Sequence, residues 1–445
     1  MQINRNILKH LLKWKTKHFR KPLLLRGARQ VGKTYIAREL SKSFSNFIEL
    51  NLYDQPRIAR LFEDDMLSVD QIIESIGAFF RIRIVDGETL LFIDEIQAST
   101  KAIERLRFFY EKRPNLHVIA TGSLLDFALE DTNSFGVGRV EYLYMYPVTF
   151  YEFVTSIGEE LLLEQIKKAT HAKPLSDLLH LQSLNLLKNY LTIGGMPEVL
   201  ANYLETRDLN ISSKIISDII TGYEDDFAKY NKRLNVSDLR ETFRSSVLQV
   251  GKKFIYSHAF RDANSKVVHK ALDLIVKAGI AHKVFHTAGN GVPLGGEVDM
   301  TKFKTLPLDM GIFNRMSGML FAEFALMNPL DLINKGALAE AYCGLEILWN
   351  KNPETKESMF YWHREAKSSN AEVDYLINIG AIVYPVEVKS SGTGSMHSMR
   401  RFLTEKNKAQ FGVRVSTENF GRYQDVITVP LYAVGEIERV VSAEV

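Results

Sequence analysis

The stretch Gly27-Ala28-Arg29-Gln30-Val31-Gly32-Lys33-Thr34 constrains this chain more than any other. It follows the apolar run Leu23-Leu24-Leu25 and precedes a helical pattern from Tyr35 to Leu40. A glycine, four residues and then Gly-Lys-Thr, set between a buried strand and a helix, form a phosphate loop. Gly27 and Gly32 let the backbone turn until its N–H groups converge on an anion. The helix that starts near Lys33 adds the positive end of its dipole. In such a loop Lys33 reaches the β- and γ-phosphates of a nucleotide, and the Thr34 hydroxyl ligates Mg²⁺.

The second anchor is Leu90-Leu91-Phe92-Ile93-Asp94-Glu95. Four apolar residues ending in two acids read as a buried parallel strand, and ligands of open α/β sheets bind at that end. Asp94 is expected to hold Mg²⁺, directly or through water, and Glu95 to orient or deprotonate the attacking water. The competing reading, that both acids cap the next helix, does not explain why two of them follow so apolar a strand. A third buried strand, Leu116 to Thr121, ends in Gly122-Ser123. Thr121 or Ser123 would sense the γ-phosphate, and Ser123 would equally serve as a helix N-cap. Arg139 precedes a strand running from Val140 to Tyr146. It would either stabilise transition-state charge in a neighbouring subunit's site or form an ordinary surface ion pair.

This order of loop, acidic strand, polar-ended strand and Gly138-Arg139 resembles the AAA+ ATPase core. Pro147-Val148-Thr149-Phe150-Tyr151-Glu152-Phe153 and Gly194-Gly195-Met196-Pro197-Glu198 narrow the resemblance. They look like bacterial and archaeal AAA-type ATPases with a C-terminal domain of unknown function 4143. The resemblance runs from about Arg20 to about Val429. It implies ATP rather than GTP, a sensor-1 role for Thr121 or Ser123, and an arginine-finger role for Arg139. That role would make the active form a homo-oligomer. No clear sensor-2 arginine motif is present.

A chain of 445 residues has room for two to four domains. The expected fold class is α/β. Residues 1–19 form a basic helix and 20–150 a P-loop AAA+-like parallel sheet. Residues 151–225 form a leucine-rich helical lid, 226–310 a winged-helix-like domain, and 311–445 an α/β, restriction-endonuclease-like domain. The basic face of the first helix reads as a solvated face on a helix packed beside the ATPase core, in preference to a membrane or nucleic-acid contact. The acids in Thr221-Gly222-Tyr223-Glu224-Asp225-Asp226 read as a solvated turn. A net charge of +3 neither demands nor excludes nucleic acid. Lys266, His269, Lys270 and Lys277, on the presumed recognition helix, leave DNA contact and protein contact both open. The single cysteine, Cys343, excludes an internal disulfide and fits a reducing cytoplasm. No apolar run reaches transmembrane length, so no membrane partner is expected.

The C-terminal region holds a further constellation. Glu372 to Ile379 and Ile382 to Lys389 alternate as strands, and Gly380-Ala381 suits a two-residue hairpin turn. That register sets Asp374 opposite Glu387 and Glu372 opposite Lys389, all on one face. Two opposed carboxylates repel unless a cation lies between them, which points to Mg²⁺ or Mn²⁺. Glu340, on a helix with a small-residue face, would complete the site. The pattern resembles the PD-(D/E)xK nuclease core. The resemblance implies metal ligation by Glu340, Asp374 and Glu387, with Lys389 acting on water or phosphate in cutting DNA or RNA. His363 and Arg364 would contact a phosphate. An ion-pair cluster with Glu372–Lys389 as a plain salt bridge, or a degenerate nuclease fold used for docking, are the competing readings.

Overall fold

Strand alternation builds the first sheet. Along β1 (Leu23–Arg26), Leu23 and Leu25 enter one apolar core while Leu24 enters another. Along β3 (Thr89–Asp94), Leu90 and Phe92 face the first core, and Leu91 and Ile93 the second. Burial on both faces is what a parallel sheet requires, which is why these strands are apolar throughout. Each such side chain removed from water contributes about 1.5–3 kcal/mol. With β2 (Asn46–Asn51), β4 (His117–Thr121) and β5 (Glu141–Tyr144) they form a five-stranded sheet of order β2-β3-β4-β1-β5. All its pairings are parallel. This computed structural model describes residues 3–122, 138–230, 234–328, 330, 336–364, 371–389, 396–406 and 408–444.

The N-terminal helix Ile7–Lys15 buries Ile7, Leu11 and Trp14 against the first core and leaves Lys9 and Lys13 exposed. After the first sheet come helices Phe150–Ser156, Glu160–Lys168, Asp177–Ile193, Pro197–Thr206 and Leu209–Asp226. Thr149 caps the first of these through a capping box with Glu152. The acids Glu224, Asp225 and Asp226, at the end of the last of these helices, do not form a solvated turn. They continue the Leu209–Asp226 helix, and Glu224 and Asp225 pair with Arg244 and Arg240 of the next helix, Val236–Leu248.

The second sheet has eight strands in the order β12-β13-β11-β10-β9-β8-β6-β7. Its members are β6 (Ala281–Thr287), β7 (Val298–Pro307), β8 (Met359–His363), β9 (Glu372–Ile379), β10 (Ile382–Val388), β11 (Gly412–Ser416), β12 (Gly421–Tyr423) and β13 (Val426–Pro430). Helices Val236–Leu248 and Ser265–Lys277 precede the β6–β7 hairpin. That hairpin, placed by the sequence in a winged-helix-like unit ending at residue 310, is not a free wing. Strand β6 also pairs in parallel with β8, Val284 opposite Met359. The sheet therefore crosses the expected boundary, and β7 forms its edge. The first apolar core continues from the phosphate-loop sheet through the helical region to β10, β11 and β13. Among the described residues no helix is long and apolar enough to cross a membrane.

Candidate functional site

The phosphate loop lies between β1 and the helix Lys33–Ser41. Gly27 has a φ of 152° and Gly32 a φ of 93°. A Cβ on Gly27 would lie 2.2 Å from the Met145 carbonyl oxygen, so only glycine fits there. Four distant segments approach the loop, two of them through hydrogen bonds or ion pairs. Arg5 donates to the Val31 carbonyl (3.2 Å) and the Tyr146 carbonyl (2.6 Å), and pairs with Glu152 at 3.2 Å. The Tyr223 hydroxyl donates to the Arg29 carbonyl at 2.8 Å, and Asp226 pairs with the Arg29 guanidinium. Gly279, in the turn before β6, lies so close that a Cβ there would sit 3.3 Å from the Ala28 nitrogen. Pro197, from Gly194-Gly195-Met196-Pro197, approaches Gly32, where an added Cβ would meet its ring at 3.5 Å. Gly195 is itself fixed by its N–H donating to the buried Asp309 at 2.5 Å.

Lys33 is buried, and its ammonium donates to the carbonyls of Gly27 (2.9 Å) and Ala28 (2.7 Å). Burial pushes its pKa down to about 8, and the charges of Glu95 and Asp94 oppose that fall. The Thr34 hydroxyl donates to Asp94 Oδ2 at 2.8 Å. Thr121 donates to Asp94 Oδ1, which also accepts the Glu95 N–H at 3.0 Å. Three of the residues singled out in the sequence, Thr34, Asp94 and Thr121, thus meet at one carboxylate. Glu95 has a φ of 52° and accepts from the Gln97 amide. It lines a cleft with Arg29, Asn51 and Lys229. A buried lysine, a glycine-hinged loop of N–H groups, and a hydroxyl–carboxylate pair fit a nucleotide triphosphate with Mg²⁺. Thr34 and Asp94 are the oxygen donors such a cation takes.

Arg139 lies before β5, half exposed, with its Nε 3.1 Å from Glu111. Ser123 lies outside the described residues. Asp226, Tyr223 and Arg5 were not singled out as loop contacts. The only sequence signal was an acidic cluster at the end of the helical region and a lone arginine ahead of the first helix.

The C-terminal hairpin keeps its expected register. Strands β9 and β10 pair with Ile382 opposite Ile379 and Val386 opposite Tyr375, around Gly380 at a φ of 58°. The next pair in that register is Asp374 and Glu387. The cations that face these acids, however, are two different ammoniums. Lys304 of β7 is buried, 2.8 Å from Glu340 Oε1, in contact with Glu372, and 3.8 Å from Asp374 Oδ1. Lys389 pairs at 2.5 Å with Glu387, not with Glu372 as a cross-strand bridge would have it. Asp374 Oδ2 accepts the Val388 N–H at 2.8 Å, and Glu387 accepts the Met399 N–H at 3.2 Å. Burial raises the pKa of Glu340 to about 7 and raises those of Asp374 and Glu387. Among the described residues no group of three or more His, Cys, Asp or Glu is arranged to hold a metal ion. Arg364 pairs with Glu405 at 2.8 Å, and His363 lies opposite Glu372. The sequence signal for Lys304 was slight: a lysine between Phe303 and Thr305 in the half of the strand that is buried.

Three family models match the chain. Residues 19–154 match an AAA domain, 184–322 a domain of unknown function 8612, and 335–434 a domain of unknown function 4143. No curated protein matches. Among solved structures, a Walker-type ATPase of Pyrococcus abyssi is 15% identical with a TM-score of 0.46, covering 71% of this chain and 96% of that one. The Aeropyrum pernix ORC1 protein in complex with DNA is 13% identical with a TM-score of 0.26, covering 73% and 93%. The Thermotoga maritima RuvB Holliday junction branch migration motor is 16% identical with a TM-score of 0.30, covering 63% and 90%.

Proposed function

We propose that this chain, an AAA-type P-loop ATPase ending in a domain of unknown function 4143, uses Mg·ATP turnover to set the placement of its C-terminal sheet toward a partner. The observation that carries the reading is the Thr34–Asp94 pair beside buried Lys33, at the mouth of a loop braced by Arg5, Tyr223 and Gly279. Gly27 to Gly32 present N–H groups to the phosphates, and Lys33 leaves its carbonyl acceptors to meet the β- and γ-phosphates. Thr34 and Asp94 hold the Mg²⁺, which supplies charge neutralisation on the phosphate oxygens. Glu95 orients the attacking water and takes its proton. Thr121 keeps Asp94 aimed at the cation site. Arg139 acts in a neighbouring copy's site, and turnover per subunit then rises with protein concentration.

The C-terminal sheet acts as a docking and positioning unit in this reading, because Lys304 is already paired with Glu340 and Asp374, and Lys389 with Glu387. The nucleic-acid reading draws on the exposed Lys266 and Lys270 of the Ser265–Lys277 helix. A metal-dependent nuclease is the second reading, favoured by the opposed Asp374 and Glu387 with Lys389 alongside. One set of assays separates them. ATP turnover is measured for wild type, Lys33→Ala and Glu95→Gln, and DNA and RNA cleavage for wild type, Asp374→Ala and Lys389→Ala with Mg²⁺ and Mn²⁺. Turnover lost in the first pair with no cleavage by wild type supports positioning. Cleavage lost in the second pair overturns it, and full turnover by Lys33→Ala overturns the ATPase assignment to this loop.

A further inference from the structure

Asp309 lies two residues past β7 and caps the helix Met310–Met316. Its Oδ1 accepts the N–H groups of Gly311 (2.8 Å) and Ile312 (3.2 Å). The side chain is fully buried, and among the described residues it makes no ion pair. Asn, Ser or Thr would cap the helix as well without carrying a charge into the interior. What the carboxylate adds is a second acceptor. Its Oδ2 takes the Gly195 N–H at 2.5 Å, across 114 residues of sequence. An asparagine would keep the cap with its one carbonyl oxygen and turn an NH₂ group toward that N–H. The buried charge is thus explained by the bridge to Gly195, not by the helix end.

The contact is built for close approach. A Cβ on Gly194 would lie 2.2 Å from Asp309 Oδ1, and one on Gly311 would lie 2.4 Å from the Ile193 carbonyl oxygen. Neither position has room for a side chain. From Gly195 two routes lead to the phosphate loop. Pro197, two residues on, sets its ring beside Gly32, the residue just ahead of Lys33. In the other direction the Gly195 carbonyl accepts the Val148 N–H at 2.7 Å. Val148 follows Tyr146 and Pro147, and Arg5 joins the Tyr146 carbonyl to that of Val31 in the loop. Two tyrosines feel the Asp309 charge, and both spend their hydroxyls on carbonyls of this frame: Tyr190 on Val148 at 2.5 Å and Tyr223 on Arg29 at 2.8 Å. The same helix grips the preceding one as well, with Asn314 donating to the Leu191 carbonyl at 2.7 Å.

We propose that Asp309 is a positioning residue for nucleotide binding: through Gly195 and Pro197 it holds Gly32, and Lys33 after it, in the arrangement that receives the phosphates. The same bond ties the phosphate loop to β7, the edge strand of the second sheet, which also carries Lys304. With the bridge cut, the loop visits arrangements that do not bind, and the apparent affinity falls with the fraction of time spent in the competent one. Bound nucleotide restores that arrangement, so the chemical step changes little. The use of the link rests on the ATPase reading, and the link itself does not.

The test uses the full chain. Wild type is compared with Asp309→Asn, Pro197→Ala, their double variant and Val268→Ala. The readouts are KM and kcat for ATP, and amide hydrogen exchange of residues 27–34 and 193–199 without nucleotide. Val268 lies in a separate apolar cluster and controls for lost stability alone. Asp309→Asn should raise KM about tenfold with kcat within a few-fold of wild type, and should speed exchange in both segments. Pro197→Ala should raise KM less. The double variant should be no worse than Asp309→Asn, because the two residues act in series. Val268→Ala should leave KM and the 27–34 segment near wild type. An unchanged KM in folded Asp309→Asn, which is what a helix cap alone would give, overturns the proposal. So does a double variant whose KM rise is the product of the two single rises. A failure of the ATPase reading looks different: wild type without turnover ends the nucleotide role, while faster exchange at 27–34 in Asp309→Asn still shows the link.

Discussion

Two carboxylate-bearing strand ends in this molecule look alike in sequence and differ in what faces them. At the end of β3, Asp94 meets hydroxyls and an N–H: Thr34, Thr121 and the Glu95 backbone. At the β9–β10 hairpin, the acids meet ammoniums: Lys304 reaches Glu340, Glu372 and Asp374, while Lys389 holds Glu387. The lysine near Asp94 is turned to the carbonyls of Gly27 and Ala28 instead. Neutral partners can rotate toward an incoming cation and keep a bond. An internal ammonium cannot leave without stranding charge in the protein interior. The first arrangement is suited to an exchanging ligand, and the second is a closed ion-pair cluster.

The largest expected effect tests the open end. Lys33→Ala should lower ATP turnover by about 10²–10³-fold, the cost of removing one electrostatic stabiliser of a transition state, with little change in the urea midpoint. A steady-state phosphate-release assay beside a denaturation curve measures both. Turnover within a few-fold of wild type would end the distinction between the two sites.

Lys304→Met makes the reverse prediction. It leaves the buried Glu340 and Asp374 facing each other and should destabilise the fold by about 3–5 kcal/mol, read from urea unfolding. Turnover per folded molecule should hold. Adding Glu340→Gln and Asp374→Asn should restore much of the loss, because the cost lies in unpaired charge rather than in packing. A neutral Lys304→Met would mean that the cluster is wetter and more open than its burial implies.

How each site was legible follows from where its residues come from. The phosphate loop is contiguous, so glycine spacing, the preceding apolar strand and the following helix were all visible in one stretch. The Asp374–Glu387 register was equally local, because a two-residue turn at Gly380 fixes it. Lys304 lies 36 residues from Glu340 and arrives only because β6 pairs in parallel with β8 while β7 pairs with β6. A parallel pairing leaves no turn in the sequence to announce it. The same long-range pairing turned an expected free wing into the edge of a sheet. Asp226 was read as solvated for a related reason: Arg29, its partner, lies 197 residues away.

A smaller effect concerns pH. Glu346 is buried, accepting the Phe150 N–H at 2.8 Å and the Asn350 amide at 3.0 Å, and burial raises its pKa from 4.5 to about 7. The folded chain then keeps a proton that the unfolded chain releases at the usual carboxylate value. Its contribution is complete below the unfolded value and is lost as pH rises toward about 7. The span is on the order of 3 kcal/mol. Asp309, raised to about 6 by burial, has the same sign over a narrower window. Unfolding curves from pH 5 to pH 8 should show stability falling, and Glu346→Gln should flatten much of that slope. A slope unchanged in the variant would assign the proton elsewhere, with Glu340 at about 7 the next group to test.

The smallest effect probes how the open site is braced. Asp226 ends the Leu209–Asp226 helix and pairs with both Arg29 and Lys229, the latter at 2.8 Å. The Arg29 side chain is about one-third exposed and Asp226 largely buried, so water screens part of the pair and its worth is about 1 kcal/mol. The Tyr223 hydroxyl still holds the Arg29 carbonyl without it. Asp226→Asn should therefore leave stability near wild type and raise the KM for ATP only a few-fold, with kcat nearly unchanged. Tyr223→Phe on top of it removes a second bond from that helix to the loop, and the combined loss should exceed the sum of the two because both act on one residue. If kcat falls as far as KM rises, the helix end does more than hold Arg29. Its movement would then be part of turnover, and the contrast between an exchanging site and a closed one would extend to how each is tied to the rest of the chain.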